Sequence, residues 1–113
     1  MATLGPGRPV RGSRTGRPIM ALLDLLGRRW ALRILWELRA GALTFRGLQG
    51  ACGGTGPTVL NQRLKELRAS GLIETEGGGY ALTPLGHELR TAIMPLIEWS
   101  TRWARSGAMR RGR

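Results

Sequence analysis

The sequence predicts a mainly α-helical domain carrying one small β-hairpin, and three features predict it. Apolar residues recur at helical spacing through residues 18–70 in several segments separated by glycines. Two short runs, LIETE (72–76) and YALT (80–83), flank Gly77-Gly78-Gly79 and suggest strands about a tight turn. A last stretch then keeps a helical apolar stripe from Leu85 to Trp103.

Taken in order, residues 1–16 hold too little apolar material to join a core and read as a flexible basic arm. Its cations recur every third position, at Arg8, Arg11 and Arg14 and on to Arg17, which suits non-specific attraction to phosphate. Gly-Arg-Pro occurs at Gly7–Pro9 and again at Gly16–Pro18, and resembles the centre of an AT-hook, without the full set of flanking cations. Pro18 to Leu26 predicts a first helix with Ile19, Leu22, Leu23 and Leu26 inward, ended by Gly27. Trp30 to Arg39 predicts a second. Trp30, Ala31, Ile34 and Leu38 share its inner face with Leu35 beside them, while Leu32 and Trp36 form a separate apolar patch. Thr44 is a suitable N-cap for a short helix to Ala51, with Phe45 and Leu48 inward.

The stretch from Gly56 to Gly71 carries the clearest pattern. Pro57 suits the first helical position and Gly71 a left-handed stop, so a helix over 57–70 is expected. Leu60, Leu64 and Leu67 line one side. Thr58, Asn61, Gln62, Lys65 and Arg68 line the other, and that face bears no carboxylate. Amides can read adenine edges, and cations can reach guanine or phosphate. An ordinary surface helix would share the stripe, but the preceding short helix and its glycine-bearing loop complete a helix-turn-helix pattern. The hairpin after it is then the wing of a winged helix. Thr83 caps the final helix, with Pro84 at its first position and Pro95 inside it. Leu85, Leu89, Ala92, Leu96, Trp99 and Trp103 line one side, broadened by Ile93 and Ile97. That stripe exceeds what a small domain can cover. A helix folded back on its own domain is one reading; a dimer contact is preferred.

At 113 residues the chain has length for one modest core, with domain boundaries expected at 17 and 106 and a basic tail over 107–113. Its 18 Lys+Arg against 7 Asp+Glu give +11, which favours a polyanionic partner, double-stranded DNA first. All the cations but Lys65 are Arg. No apolar run reaches the ~18 residues of a membrane span, so no membrane partner is expected. The N-terminus has no signal-peptide core, and a lone Cys52 excludes an internal disulfide; a cytoplasmic, nucleoid-associated protein is expected. Cys52 and the single His87 lie far apart, so neither a metal nor another cofactor is expected. No nucleophile–base pair stands out, and an enzyme is not expected. Arg46, at the start of the short helix, and Arg68 are candidate phosphate contacts. Arg63, near the apolar flank, is a further one unless it pairs with an acid such as Glu37.

With these residues placed, the chain resembles the HxlR-type winged helix-turn-helix regulators, which are related to MarR- and PadR-like ones. LLDLLGRRW (22–30), TFRGLQGA (44–51), LNQRLKELRASGLIE (60–74), YALTPLGHEL (80–89) and PLIEWSTRW (95–103) carry the resemblance. It implies dimeric DNA-binding transcription regulators, with the helix from Pro57 in the major groove and the long terminal helix in the dimer interface. The chain departs from the family's pattern in its sensing cysteine, whose place before the first helix is taken by Arg17. Cys52 stands where an apolar residue is usual, Trp36 where a polar or aliphatic one is common, and the wing is short, with Glu74 and Glu76 but no cation.

Two functions follow. One is a sequence-specific homodimeric regulator on a palindromic operator. In it Thr58, Asn61, Gln62 and Lys65 read bases, and Leu32, Trp36, Leu96, Trp99 and Trp103 form the dimer interface or a pocket for a small aromatic effector. The alternative is a sequence-blind nucleoid binder or interaction module held by Arg charge. The ratio of specific to non-specific affinity separates them.

Overall fold

In the residues 17–107 described by the computed structural model, Pro18 opens the first helix. This helix is α1 (Pro18–Leu26), followed by α2 (Ala31–Glu37) with a 3-10 turn (Leu38–Ala40), α3 (Phe45–Cys52), α4 (Pro57–Ala69), strands β1 (Ile73–Glu76) and β2 (Gly79–Leu82), and α5 (Pro84–Arg105). The predicted arm and most of the predicted tail lie outside the described residues.

The inner face of α1 differs from expectation. Ala21 and Leu25 are buried, Leu22 and Leu26 are half-buried, and Ile19 and Leu23 are 53% and 54% exposed. The segment PIMALLDLL is apolar almost all round, so periodicity does not select one stripe; contact with α2 selects the Ala21–Leu25 pair. The start of α2 is also corrected. Trp30 is not its first residue but its N-cap, with a left-handed backbone (φ 79°) that only this non-glycine residue adopts among those described. Such a conformation costs of order 1 kcal/mol or more outside glycine. It is offset here by burial of part of the indole against the core and by the Arg29 guanidinium, 5.3 Å from the ring centroid.

Thr44 and Thr83 cap α3 and α5 as expected, accepting from the backbone N–H groups of Gly47 and Gly86, each at 3.0 Å. Leu25, Ile34, Leu35, Leu38, Leu48, Cys52, Leu60, Leu64, Leu67, Ile73 and Leu82 form one buried core. Each large aliphatic among them is worth ~1.5–3 kcal/mol by removal from water.

The strands pair antiparallel, Ile73 opposite Leu82 and Glu76 opposite Gly79. Gly77 (φ 54°) and Gly78 (φ 82°) make the two-residue turn, which requires positive φ at both positions. The hairpin starts at Ile73 rather than Leu72. A further pairing was not expected: Leu43, just before α3, bridges Tyr80, with N–H···O bonds of 3.0 and 2.8 Å. The second strand of the wing is therefore stitched, near its turn, to the segment that enters α3.

The long helix α5 runs unbroken through Pro95. Its inward side is Gly86, Leu89, Ile93 and Ile97, rather than the expected Leu85–Ala92–Leu96 line; Leu85 is 58% exposed. The two apolar stripes lie side by side on this helix, and contact with α2 chooses between them. Among the described residues no helix is long and apolar enough to cross a membrane.

Candidate nucleic-acid interface

Helix α4 is held by its Leu face. Leu60, Leu64 and Leu67 are fully buried, so Thr58, Asn61, Gln62, Lys65 and Arg68 are left on the exposed face by helix period alone. The turn from α3 to α4 passes through Gly53 and Gly54, both with positive φ (60° and 92°). It is pinned by Gln49 Nε2, which donates to the Thr55 carbonyl at 3.2 Å. Arg46 is exposed in the first turn of α3. Between α4 and the wing lies an open cleft of about 470 Å³ lined by Lys65, Arg68, Ala69, Ile73, Glu74 and Thr75. Glu74 thus stands in the cleft with Lys65 and Arg68, and Glu76, nearer the turn, is exposed.

Arg63 does not meet Glu37. Its Nη1 donates to Glu66 Oε1 at 3.1 Å and its Nε to the Arg29 carbonyl at 2.9 Å. Glu37 is instead taken by Arg33 one turn earlier on α2, at 2.7 Å. The reason is geometric: Arg63 faces the α1–α2 corner, whereas Glu37 points along α2 towards its own i−4 neighbour. Arg8, Arg11 and Arg14 lie outside the described residues.

A second surface lies along α5. Leu96, Trp99 and Trp103 are 62%, 47% and 40% exposed, and the two indoles stack with centroids 6.0 Å apart and planes 11° apart. Beside them an apolar groove of about 470 Å³ opens between α2 and α5. Leu32, Trp36 and Leu96 line it with Leu35, Leu89, Ile93 and Ile97, as do Arg33, Arg90 and Ser100. Trp99 and Trp103 do not line it, so the five residues grouped from sequence divide between a groove and a stacked seam. Arg90 brings a buried Nε with no hydrogen-bond partner, and the Arg39 guanidinium covers Trp36 at 3.9 Å.

Cys52 is buried at the end of α3, and burial pushes its thiol above the usual cysteine range; Arg33 pulls the other way and Glu37 adds to the rise. A raised pKa means less thiolate at neutral pH, and the thiolate is the reactive form. Diamide is therefore expected to leave DNA binding unchanged, as read by gel shift before and after treatment. Release of DNA that disappears in Cys52→Ser would overturn this. His87 is exposed, and among the described residues no cluster of three or more His, Cys, Asp or Glu could hold a metal.

Sequence reasoning missed the tie between Arg28 and Glu66, 2.9 Å apart. Its only trace in the sequence is that Glu66 is the single carboxylate of α4.

The family profile described as HxlR-like helix-turn-helix matches residues 25–108. The chain is 28% identical over 88 residues to MJ0925 of Methanocaldococcus jannaschii, described as an uncharacterised HTH-type transcriptional regulator, covering 74% of this chain and 83% of that protein. Among solved structures, it is similar to a possible HxlR family transcriptional factor from Thermoplasma volcanium (32% identity, TM-score 0.67, 74% of this chain and 82% of that one). It is also similar to the quinone-bound YodB from B. subtilis (26% identity, TM-score 0.71, 74% of this chain and 96% of that one). The profile spans most of the described chain, from the end of α1 through α5, and the chain belongs to the HxlR-like helix-turn-helix family of DNA-binding transcription regulators.

Proposed function

We infer that the protein binds a palindromic operator as a homodimer, with α4 of each protomer in the major groove. The observation that carries this reading is the exposed face of α4, where Thr58, Asn61, Gln62 and Lys65 stand opposite a fully buried leucine stripe. Arg46 and Arg68 contact phosphates beside it, and Arg63 lends charge at the edge while tied to Glu66. The exposed Leu96–Trp99–Trp103 seam supports pairing of two protomers along α5. A regulator of this kind works on chromosomal DNA and so in the cytoplasm.

Asn61→Ala or Gln62→Ala is expected to cost ~1–3 kcal/mol on the selected site and much less on random DNA. Equal losses on both would favour sequence-blind attachment by charge. The arm over residues 1–16 neutralises further phosphates, because the acidic wing neutralises none. Removing it is expected to flatten the slope of log affinity against log salt by about 0.9 for each phosphate the arm had neutralised. Identical slopes for the two proteins would make the arm a bystander.

The groove between α2 and α5 supports a second use of the same region, as a site for a small flat aromatic effector. YodB has been solved with a quinone bound. Here the wall is mostly aliphatic and aromatic, with Arg33, Arg90 and Ser100 at its polar edge. Quenching of tryptophan fluorescence by planar aromatic compounds, together with altered DNA affinity, tests it; quenching with no change in DNA affinity would exclude an effector role.

A further inference from the structure

Glu66 holds three donors from three directions. Its Oε2 accepts from Arg28 Nη1 at 2.9 Å and from Gln62 Nε2 at 3.0 Å, and its Oε1 accepts from Arg63 Nη1 at 3.1 Å. The two arginines are themselves anchored. Arg28 also donates to Asp24 of α1 at 2.9 Å, and Arg63 to the Arg29 carbonyl at 2.9 Å. The carboxylate is 14% exposed and so sits in a partly dry, fully satisfied position against the α1–α2 corner.

We propose that Glu66 is a positioning residue that presets the amide of Gln62 to read adenine. A glutamine amide can turn over, exchanging its oxygen and nitrogen, and each orientation presents a different pattern to a base. A carboxylate only accepts, so the orientation with Nε2 towards Glu66 is favoured and the flipped one sets oxygen against oxygen. Nε2 has a second hydrogen. With Glu66 on the hydrogen anti to Oε1, the syn hydrogen and Oε1 of this exposed side chain stand side by side as a donor and an acceptor. Adenine presents the complement in the major groove, the N7 acceptor beside the N6 amino donor. Arg28 and Arg63 fix the carboxylate to the fold, so the rotamer freedom that Gln62 would lose on binding is already restricted in free protein.

This proposal rests on the reading of α4 as the base-reading helix, and the test separates the two. Sites are selected from a randomised DNA pool with the full-length wild-type protein. Affinities for every single-base variant of the selected site are then measured for wild type, Gln62→Ala, Glu66→Gln and the double variant. Gln62→Ala identifies the base position concerned. Glu66→Gln is expected to lower the adenine preference at that position about tenfold, within the range of one bidentate pair. Preferences elsewhere should hold, and affinity for random DNA should stay level or rise as a negative charge is removed. The double variant should lose no more than Gln62→Ala alone, the mark of two residues acting as one unit. Should Glu66→Gln melt early, the affinities are measured below its melting temperature, with circular dichroism confirming the fold. A uniform loss at all positions, or losses that add in the double variant, would show a purely structural brace and overturn the proposal. A wild-type protein that selects no site at all would overturn the reading of α4 itself, and the proposal with it.

Discussion

Trp99→Ala is expected to leave the protein monomeric and without measurable operator binding at concentrations where the proposed wild-type dimer is bound. In one protomer Trp99 is 47% exposed, and its ring contact is with Trp103, so truncation removes little from the fold of a single chain. Across a two-fold axis the same change is made twice. A buried aromatic anchor at an interface is worth ~2 kcal/mol or more, so both copies together cost about 4 kcal/mol, roughly a thousandfold in the dimerisation constant. Operator binding falls with it, because a palindrome is held through two half-sites and one alone is weak. Sedimentation velocity and operator titration on the same sample read the two effects, and circular dichroism confirms that helix content is kept. A wild-type protein that sediments as a monomer at micromolar concentration and still binds its operator tightly would defeat the dimer reading.

Gly86→Ala is expected to destabilise the domain by about 3 kcal/mol, the upper end for forcing atoms into a packed site. A Cβ at this position would fall on the Leu72 carbonyl oxygen. That oxygen is backbone and already accepts from the Thr83 N–H at 3.1 Å, so it has no easy way to move aside. For a domain of this size, that loss lowers the melting temperature by on the order of 12 °C or more. Gly50→Ala provides the control. Gly50 lies within α3 with open space around the missing methyl, so the substitution should stabilise by ~0.5–1 kcal/mol. Thermal melts without DNA distinguish the pair; coincident curves for wild type and Gly86→Ala would mean that α5 is not seated on Leu72.

What could be read from the sequence was whatever is decided locally. Thr44 and Thr83 cap their helices, Pro57 and Pro84 open theirs, and Gly77-Gly78 turn the hairpin, because each depends on a few bonds among near neighbours. The face of α4 was legible for the same reason, its three leucines recurring in a helix that is otherwise polar. The errors fall where two apolar faces compete. In α1 nearly every position is apolar, and in α5 the Leu89–Ile93–Ile97 line runs beside the Leu96–Trp99–Trp103 line; the neighbouring helix makes the choice, and periodicity does not record it. The Leu43–Tyr80 bridge and the Arg28–Glu66 tie were out of reach because each joins segments far apart in the chain, and the left-handed Trp30 because no residue type there signals positive φ. In the candidate site, the residues proposed to read bases share a face by helix period, and so does the Gln62–Glu66 contact; what the sequence does not record is Arg28, which reaches Glu66 from the α1–α2 corner.

The two ends of α5 are held by different things. Its first turn is locked to the end of α4: Thr83 Oγ1 accepts from the Gly86 N–H and donates to the Gly71 carbonyl at 2.6 Å. Its last turns carry the tryptophan seam. Pro95 lies between them and has no N–H to give the Thr91 carbonyl, one turn back. Resistance to bending is therefore lowest at this joint, with a clamped head on one side and the seam on the other. In a dimer built on that seam, the angle at the joint governs how far apart the two reading heads stand. An operator with slightly altered half-site spacing would then be met by flexing the protein before the DNA had to deform.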